Sequence, residues 1–400
     1  MKVLFLTLSK INSIDEQSIY QDLLRKFRDE GHYIYIVSPN ERRYNKKTNL
    51  VYEDKVTILN VWTPNIQKTN IIEKGFGTLI LEFIFKKAVY KFFKNEEFDL
   101  IMYSTPPITF TRLVKSLKRD NNAKTYLLLK DIFPQNAVDL KMMSDSGMLY
   151  NYFRRREIEL YMMSDWIGCM SMENKKYILK HNPYIDEKKV EVNPNSIYLK
   201  EVNTSNNIQS ELLSKIPKNK TIFLYGGNLG KPQGIDFLLD VILEEKNNSK
   251  AFFVVVGSGT ETKRIIEWFK VKKPENALFI NELNQEDYDI LLQNSHVGLV
   301  FLSPTFTIPN YPSRILPYMK NRLPILFATD VNTDVGKEAE KYQYGFWCES
   351  GKLDEFKKFI DLFTCNSDLR IKMGINGYNR LKKDFNVNYS YDMIINHFRD

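Results

Sequence analysis

Short apolar runs alternate with longer stretches of helical periodicity along the first half of the chain. Strands are predicted over residues 3–8, 33–37, 56–61, 100–103, 124–129 and 166–170. Helices are predicted over residues 16–30, from the turn at 104–107 to about 117, and over 149–163. Because strands and helices alternate in this way, we expect a parallel, doubly wound α/β domain over residues 1–200.

The same alternation restarts near residue 221. Strands are predicted over residues 221–225, 251–256, 278–280, 297–301 and 324–327, a helix over 235–243, and consecutive helices from 353 onward. The polar stretch before them predicts a linker over 201–220 and a second domain over 221–384. Open α/β sheets bind ligands beyond the carboxyl ends of their strands. We therefore expect two Rossmann-like, doubly wound domains that face each other across a cleft.

Composition narrows the classes of function. The chain has 400 residues, of which 43% are hydrophobic and 26% charged, which predicts a soluble protein and excludes disorder. Its net charge of +8 suits anionic small molecules or an anionic membrane surface, but is too weak to indicate nucleic acid. Three widely spaced cysteines predict a reducing cytoplasm, and four scattered histidines indicate no metal site. No apolar stretch is long enough to span a membrane.

A glycine-rich segment, YGGNLGKPQG at residues 225–234, follows a clean predicted strand and precedes a predicted helix. Its glycines would let backbone N–H groups approach a diphosphate, and Lys231 would add a full positive charge. The alternative is a glycine-rich turn without a ligand, and the cluster of four glycines and a lysine favours the phosphate. Gly257 lies in the turn after the next predicted strand. This glycine is explained about equally well by a backbone edge that is open to a ligand and by an ordinary tight turn.

The segment NYPSRILPYM at residues 310–319 predicts a helix with Ser313 as its N-cap and Arg314 in its first turn. A cation at a helix N-terminus opposes the helix dipole, so this position makes sense if an anion binds there. The alternative is a solvent-facing arginine.

In the first half, Lys130 and Asp131 follow a predicted strand directly, and Ser104 and Thr105 follow its neighbour. Lys130 would stabilise a phosphate oxygen, and Asp131 would orient an acceptor hydroxyl or act as a base. The alternative is a structural ion pair at a strand end.

Residues 71–94 combine lysines with many aromatic side chains. A basic, aromatic amphipathic helix can lie at an anionic membrane interface. The alternative is a crossover helix that buries one face on the sheet, and the two are compatible.

Five segments, in this order and spacing, resemble family 4 glycosyltransferases of the GT-B fold, in particular the branch that builds capsule and O-antigen repeat units. They are DIFPQNA at 131–137, VNPNS at 192–196, YGGNLGKPQG at 225–234, VGSG at 256–259 and PSRILPY at 312–318. The resemblance implies retaining transfer from a nucleotide-sugar bound by the C-terminal half to an acceptor bound by the N-terminal half. It also implies a helix over 385–400 that crosses back to the first domain, no metal or other cofactor, a polyprenyl-diphosphate-linked acceptor, and a position on the inner face of the plasma membrane.

The local patterns and the resemblance together predict roles for individual residues. Catalytic roles fall on Lys130, Asp131, Lys231 and Arg314, and acceptor-side roles on Ser104, Thr105 and Asn195. Donor-binding roles fall on Gly226, Gly227, Asn228, Gly230, Gln233, Gly257, Glu282, Ser313 and Tyr318.

The chain departs from the family at several of these positions. The arginine and lysine usual in the donor loop are replaced by Asn228 and Gln233, and the two usual acidic positions by Pro309 and Pro317. Either Glu282 or backbone groups hold the donor instead, or the protein is weak or inactive as an enzyme. A non-catalytic subunit that binds a nucleotide-sugar or a lipid-linked glycan is therefore the alternative function.

Overall fold

The computed structural model describes residues 1–66, 71–199 and 211–399, which form two α/β units. Met1–Tyr198 and Asn386–Asp400 make up the first unit, and Leu199–Phe385 the second. Within the described ranges, none of the helices is both long and apolar enough to cross a membrane.

The first unit holds a sheet in the order β3-β4-β2-β1-β5-β6-β7-β8, in which the edge strand β3 runs antiparallel to β4 and all other neighbouring strands are parallel. Its elements are β1 (Lys2–Leu6), α1 (Ile19–Asp29), β2 (Tyr33–Glu41), β3 (Asn49–Glu53), β4 (Val56–Thr63), α2 (Ile71–Phe92), β5 (Leu100–Ser104), α3 (Thr111–Asn121), β6 (Lys124–Leu129), α4 (Gln135–Asp139), α5 (Met148–Met163), β7 (Trp166–Cys169), α6 (Met172–His181) and β8 (Val190–Val192). The central strands are buried on both faces, as parallel strands covered by helices are.

The second unit holds a parallel sheet in the order β11-β10-β9-β12-β13-β14. Its elements are α7 (Glu211–Ser214), β9 (Thr221–Gly226), α8 (Ile235–Glu244), β10 (Ala251–Val256), α9 (Thr262–Lys272), β11 (Ala277–Ile280), α10 (Gln285–Gln293), β12 (Val297–Phe301), α11 (Ile315–Lys320), β13 (Ile325–Thr329), α12 (Val335–Lys341), β14 (Gly345–Glu349), α13 (Leu353–Cys365) and α14 (Ser367–Asp384). The strand order reverses between β9 and β12, which is where doubly wound sheets bind their ligands.

The last helix, α15 (Val387–Ile395), packs on the first unit. The Tyr391 ring lies 4.8 Å from the Phe27 ring of α1, and its hydroxyl is 3.0 Å from His32 Nε2. Ile394 is fully buried in the same core.

The two predicted doubly wound units are confirmed, and some predicted boundaries are wrong. The helix predicted over 16–30 begins at Ile19, because the Ser18 side chain accepts a hydrogen bond from the Gln21 N–H and caps it there. Residues 211–220, predicted as linker, contain α7, and residues 201–210 lie outside the described residues.

Candidate active site

Two glycine turns meet at the carboxyl edge of the second sheet. Gly227 follows β9 with φ +133°, and Gly257 follows β10 with φ +142°, a region that L side chains rarely adopt. The Gly227 N–H donates to the Val256 carbonyl at 3.0 Å, and the Gly257 N–H to the Ile280 carbonyl at 3.0 Å. A Cβ on Gly257 would lie 1.8 Å from the Gly227 oxygen. The loops after β9 and β10 therefore pack backbone against backbone.

Replacing Gly257 with Ala is expected to destabilise the second unit by about 2–4 kcal/mol, because the new methyl group would combine backbone strain with a clash against a carbonyl oxygen. Gly351→Ala is the matched control, since Gly351 also has a positive φ, of +99°, but a Cβ added there would meet nothing within 4 Å. That variant is expected to cost about 1 kcal/mol. Denaturant unfolding measures both, and an equal loss in the two variants would contradict the clash.

Arg314 lies directly beside this backbone. Its Cζ stands 4.5 Å from the centre of the Tyr225 ring, and its Nη2 donates to Gln233 Oε1. Nη1 is shielded from solvent and has no hydrogen-bond partner in the described part of the chain. A Cβ on Gly227 would lie 3.4 Å from the Arg314 Cζ, which is an ordinary van der Waals contact, so the positive φ rather than a lack of space favours glycine there.

An unpaired guanidinium nitrogen held among glycine backbone is a ready site for an anion. Guanidinium groups bind phosphate oxygens through two N–H groups, and here one nitrogen is positioned by Gln233 while the other has no acceptor among the described residues. Leaving a shielded donor unpaired is costly, and a phosphate oxygen would remove that cost.

The predicted N-cap at Ser313 is wrong. The helix α11 begins at Ile315, with Arg314 at the N-cap position and no side-chain cap. Ser313 is exposed, and its carbonyl accepts from the Leu316 N–H at 3.1 Å, so a turn runs straight into the helix without an extended cap residue. The unpaired nitrogen of Arg314, and not the helix end, therefore favours an anion at this position.

Tyr318, predicted as a donor-binding residue, has a fully buried side chain. Its hydroxyl accepts from the Gly226 N–H at 2.9 Å and donates to the Leu224 carbonyl at 3.0 Å. The residue thus fixes the end of β9, from which the glycine loop leaves. Tyr288, from α10, was not predicted and lies against Gly226, and burial raises the pKa of its hydroxyl to about 12.

The remaining predicted donor-side residues are mostly at the exposed rim. Lys231 lies in a single 3-10 turn, Lys231–Gln233, with its side chain in solvent, and Asn228 and Glu282 are also exposed. Gly230 is buried behind Asn228. No hydrogen bond or ion pair within residues 211–399 joins Lys231 or Glu282 to Arg314.

At the carboxyl edge of the first sheet, Thr105 joins the ends of β5 and β6. Its Oγ1 accepts from the backbone N–H groups of Lys130 at 3.0 Å and Asp131 at 3.2 Å. Ser104 is buried, and its hydroxyl donates to Thr7 Oγ1 at 3.3 Å, which ties in β1. The predicted residues of this edge are therefore brought together.

Lys130 and Asp131 are not an ion pair. Asp131 Oδ2 accepts from Asn136 Nδ2 at 2.6 Å, whereas Lys130 Nζ donates to the Asn193 carbonyl at 3.4 Å. Burial raises the pKa of Asp131 to about 6, and burial lowers the pKa of Lys130 to about 7. Two pKa values this close to neutral pH are typical of groups that exchange protons in catalysis.

Four amide oxygens of this unit are shielded and have no donor within residues 1–66 and 71–199. They are the Oδ1 atoms of Asn40, at the end of β2, and of Asn136, Asn193 and Asn195. Asn193 and Asn195 follow β8, and Asn136 lies beside Asp131. The hydroxyl groups of a sugar can donate hydrogen bonds to such oxygens.

Helix α2, predicted as basic and aromatic, buries one face and exposes the other. Leu81, Phe85 and Val89 are buried, whereas Phe83 is 70% exposed and Lys87 also faces solvent. Glu82 accepts from the Leu113 N–H at 2.9 Å and so caps α3. The side chains of residues 71–76 lie outside the described residues.

Comparisons with known proteins agree with this architecture. Residues 211–380 match the family described as glycosyl transferases group 1. The chain is 22% identical, over 78% of its length and 77% of the relative's, to a probable glycosyltransferase, WbjE, of Pseudomonas aeruginosa.

Among solved structures, sucrose-phosphate synthase from Thermosynechococcus elongatus superposes with a TM-score of 0.77 at 13% identity, covering 100% of this chain and 98% of that one. HepE from Anabaena in complex with UDP gives 0.68 at 14% identity, covering 100% of both chains. The predicted GT-B fold and the resemblance to glycosyltransferases are confirmed at this level.

Proposed function

We propose that this chain, whose residues 211–380 match the group 1 glycosyl transferases, is a retaining glycosyltransferase that moves a sugar from a nucleotide-sugar to a glycan acceptor. The observation that carries the proposal is the unpaired Nη1 of Arg314 beside the bare backbone of Gly227. A hexosyl or N-acetylhexosaminyl group is the sugar we expect to be moved.

Arg314 would stabilise the diphosphate as it leaves, which is the point at which negative charge develops. Stacking on Tyr225 and the bond to Gln233 hold its guanidinium in place, so little reorganisation is needed. Backbone N–H groups of the glycine loop and the exposed Lys231 would contact other phosphate oxygens. We expect neither a metal ion nor a cofactor besides the nucleotide-sugar donor.

On the acceptor side, Asp131 would receive the proton of the attacking hydroxyl, or share that role with a donor phosphate oxygen. Its pKa of about 6 makes it a base at neutral pH, and Asn136 fixes the orientation of its carboxylate. Lys130, while protonated, would stabilise negative charge nearby.

The acceptor we propose is a sugar on a polyprenyl diphosphate, used in bacterial surface polysaccharide synthesis at the inner face of the plasma membrane. The net charge of +8 and the exposed aromatic and lysine side chains of α2 support an anionic lipid environment. A nucleic acid partner is not expected.

A donor panel tests the proposal. Purified protein is mixed with UDP-, GDP- and dTDP-sugars, and thermal stabilisation and donor hydrolysis are followed, because a ligand that binds the folded state raises its apparent stability. We expect stabilisation by one nucleotide class together with slow hydrolysis. Stabilisation without turnover, even with lipid-linked acceptors, would favour the non-catalytic subunit that Pro309 and Pro317 suggest. No response to any nucleotide would contradict both.

A further inference from the structure

An open apolar groove of about 590 Å³ lies in the first unit, between α4 and the first turns of α5. Its apolar lining comes from Met143, Met148, Leu149, Tyr150 and Tyr152. The side chain of Met148 is 92% exposed and that of Leu149 is 55% exposed. We call this feature the apolar groove.

Single exposed apolar side chains are ordinary, but a contiguous set is not. Met142, Met148, Leu149 and Tyr152 are all exposed within eleven residues of chain. Contiguous apolar patches on proteins generally mark a surface that another molecule covers.

The charges around the apolar groove are mostly positive. Lys141 and Arg155, which are close to its lining residues in the sequence, are exposed. Arg156 stands 5.3 Å from the centre of the Tyr152 ring and pairs with Glu159 at 2.8 Å. Asp145 is the one carboxylate in the loop from 141 to 147. Arg154 turns inward, where it pairs with Glu157 and bonds Asn182.

Arg156 also connects the apolar groove to α2. Burial raises the pKa of Glu82 on α2, and the nearby positive charge of Arg156 lowers the pKa of the same carboxyl group. Phe83, the next residue, is 70% exposed, and Lys87 and Lys91 follow on α2. Exposed apolar and cationic side chains of α2 and α5 therefore lie near one another in the first unit.

We propose that the apolar groove and its cations dock on an anionic lipid bilayer, with Met148 and Leu149 inserted among the acyl chains. Apolar insertion and attraction of cations to anionic headgroups are the two terms that hold proteins at such interfaces. A second copy of the chain fits less well, because it would bring the same cations together. The inference rests on the membrane-linked acceptor of the proposed function, but lipid binding itself requires no transfer.

Vesicle sedimentation tests it with the full chain. Wild type is expected to bind phosphatidylglycerol/phosphatidylcholine vesicles and not pure phosphatidylcholine. M148S/L149S is expected to lose about tenfold or more in partitioning, and Lys141→Gln and Arg155→Gln about fivefold each at low salt. M162S/L362S is the matched control, since both side chains are exposed elsewhere, and it should bind like wild type.

Nucleotide-dependent stabilisation, measured on the same variants, should be unchanged, which separates this inference from a failure of the donor site. Absent binding by wild type would overturn the proposal, as would M148S/L149S binding like the control. A change of M148S/L149S from dimer to monomer in sedimentation velocity would assign the groove to a second copy instead.

Discussion

Arg314→Gln is expected to lower kcat/KM for sugar transfer by about 10²- to 10³-fold while the protein stays folded. The substitution removes the shielded, unpaired Nη1 and the stack on Tyr225, which are the features that point to a leaving diphosphate. Arg314→Lys should recover only part of the loss, because a point charge cannot bond Gln233 and a phosphate with the same planar fork.

Arg322→Gln is the matched control, since Arg322 also lies over a tyrosine ring, 4.9 Å from the centre of Tyr378, but is exposed away from the glycine loops. Its kcat/KM should be unchanged. Donor-dependent product formation measures both variants, with thermal unfolding as the check on folding. Normal turnover in Arg314→Gln would remove Arg314 from the reaction.

Asp131→Asn is expected to reduce kcat by about 100-fold or more, because it removes the carboxylate proposed to take the acceptor proton. The pH profile gives a sharper test. Burial raises the pKa of Asp131 to about 6, so its basic form is present above that pH. Burial lowers the pKa of Lys130 to about 7, so its charged form is present below that pH.

Wild-type kcat/KM should therefore rise through about pH 6 and fall through about pH 7, with both groups charged only between these values. In Asp131→Asn the acid limb should disappear, whereas the fall near pH 7 should stay. Asp240→Asn, a change at an exposed carboxylate of α8, should leave the whole profile as in wild type. An unchanged acid limb in Asp131→Asn would assign it to another group.

The strands of the fold were predictable where they are buried on both faces. The predicted bounds of β6, β10 and β12 agree with the structure to the residue, because parallel strands under helices read as continuous apolar runs. Strands β3, β8 and β14 were missed. The edge strand β3 includes Tyr52, which is 73% exposed, and β8 has only three residues, so neither forms a clear apolar run.

The sequence predicted which segments and sheet edges form the candidate site, but not most of the side-chain contacts between them. The glycine loop and Arg314 each stand in a recognisable local pattern, but the stack of Arg314 on Tyr225 joins residues of β9 and the turn before α11. Tyr288 lies on α10, and no sequence pattern around it indicates that it belongs to the site. The pairing of Asp131 with Asn136, and of Lys130 with a carbonyl after β8, depends on how side chains turn at a strand end.

The most direct test of the donor site is calorimetric titration of nucleosides and nucleoside diphosphates, using uridine, guanosine and thymidine forms, into wild type and Arg314→Gln. Wild type should bind one nucleoside diphosphate far more tightly than its nucleoside, and Arg314→Gln should lose most of that preference. Equal affinity of the two proteins for every diphosphate would contradict the assignment of Arg314 and the glycine loops as the diphosphate site.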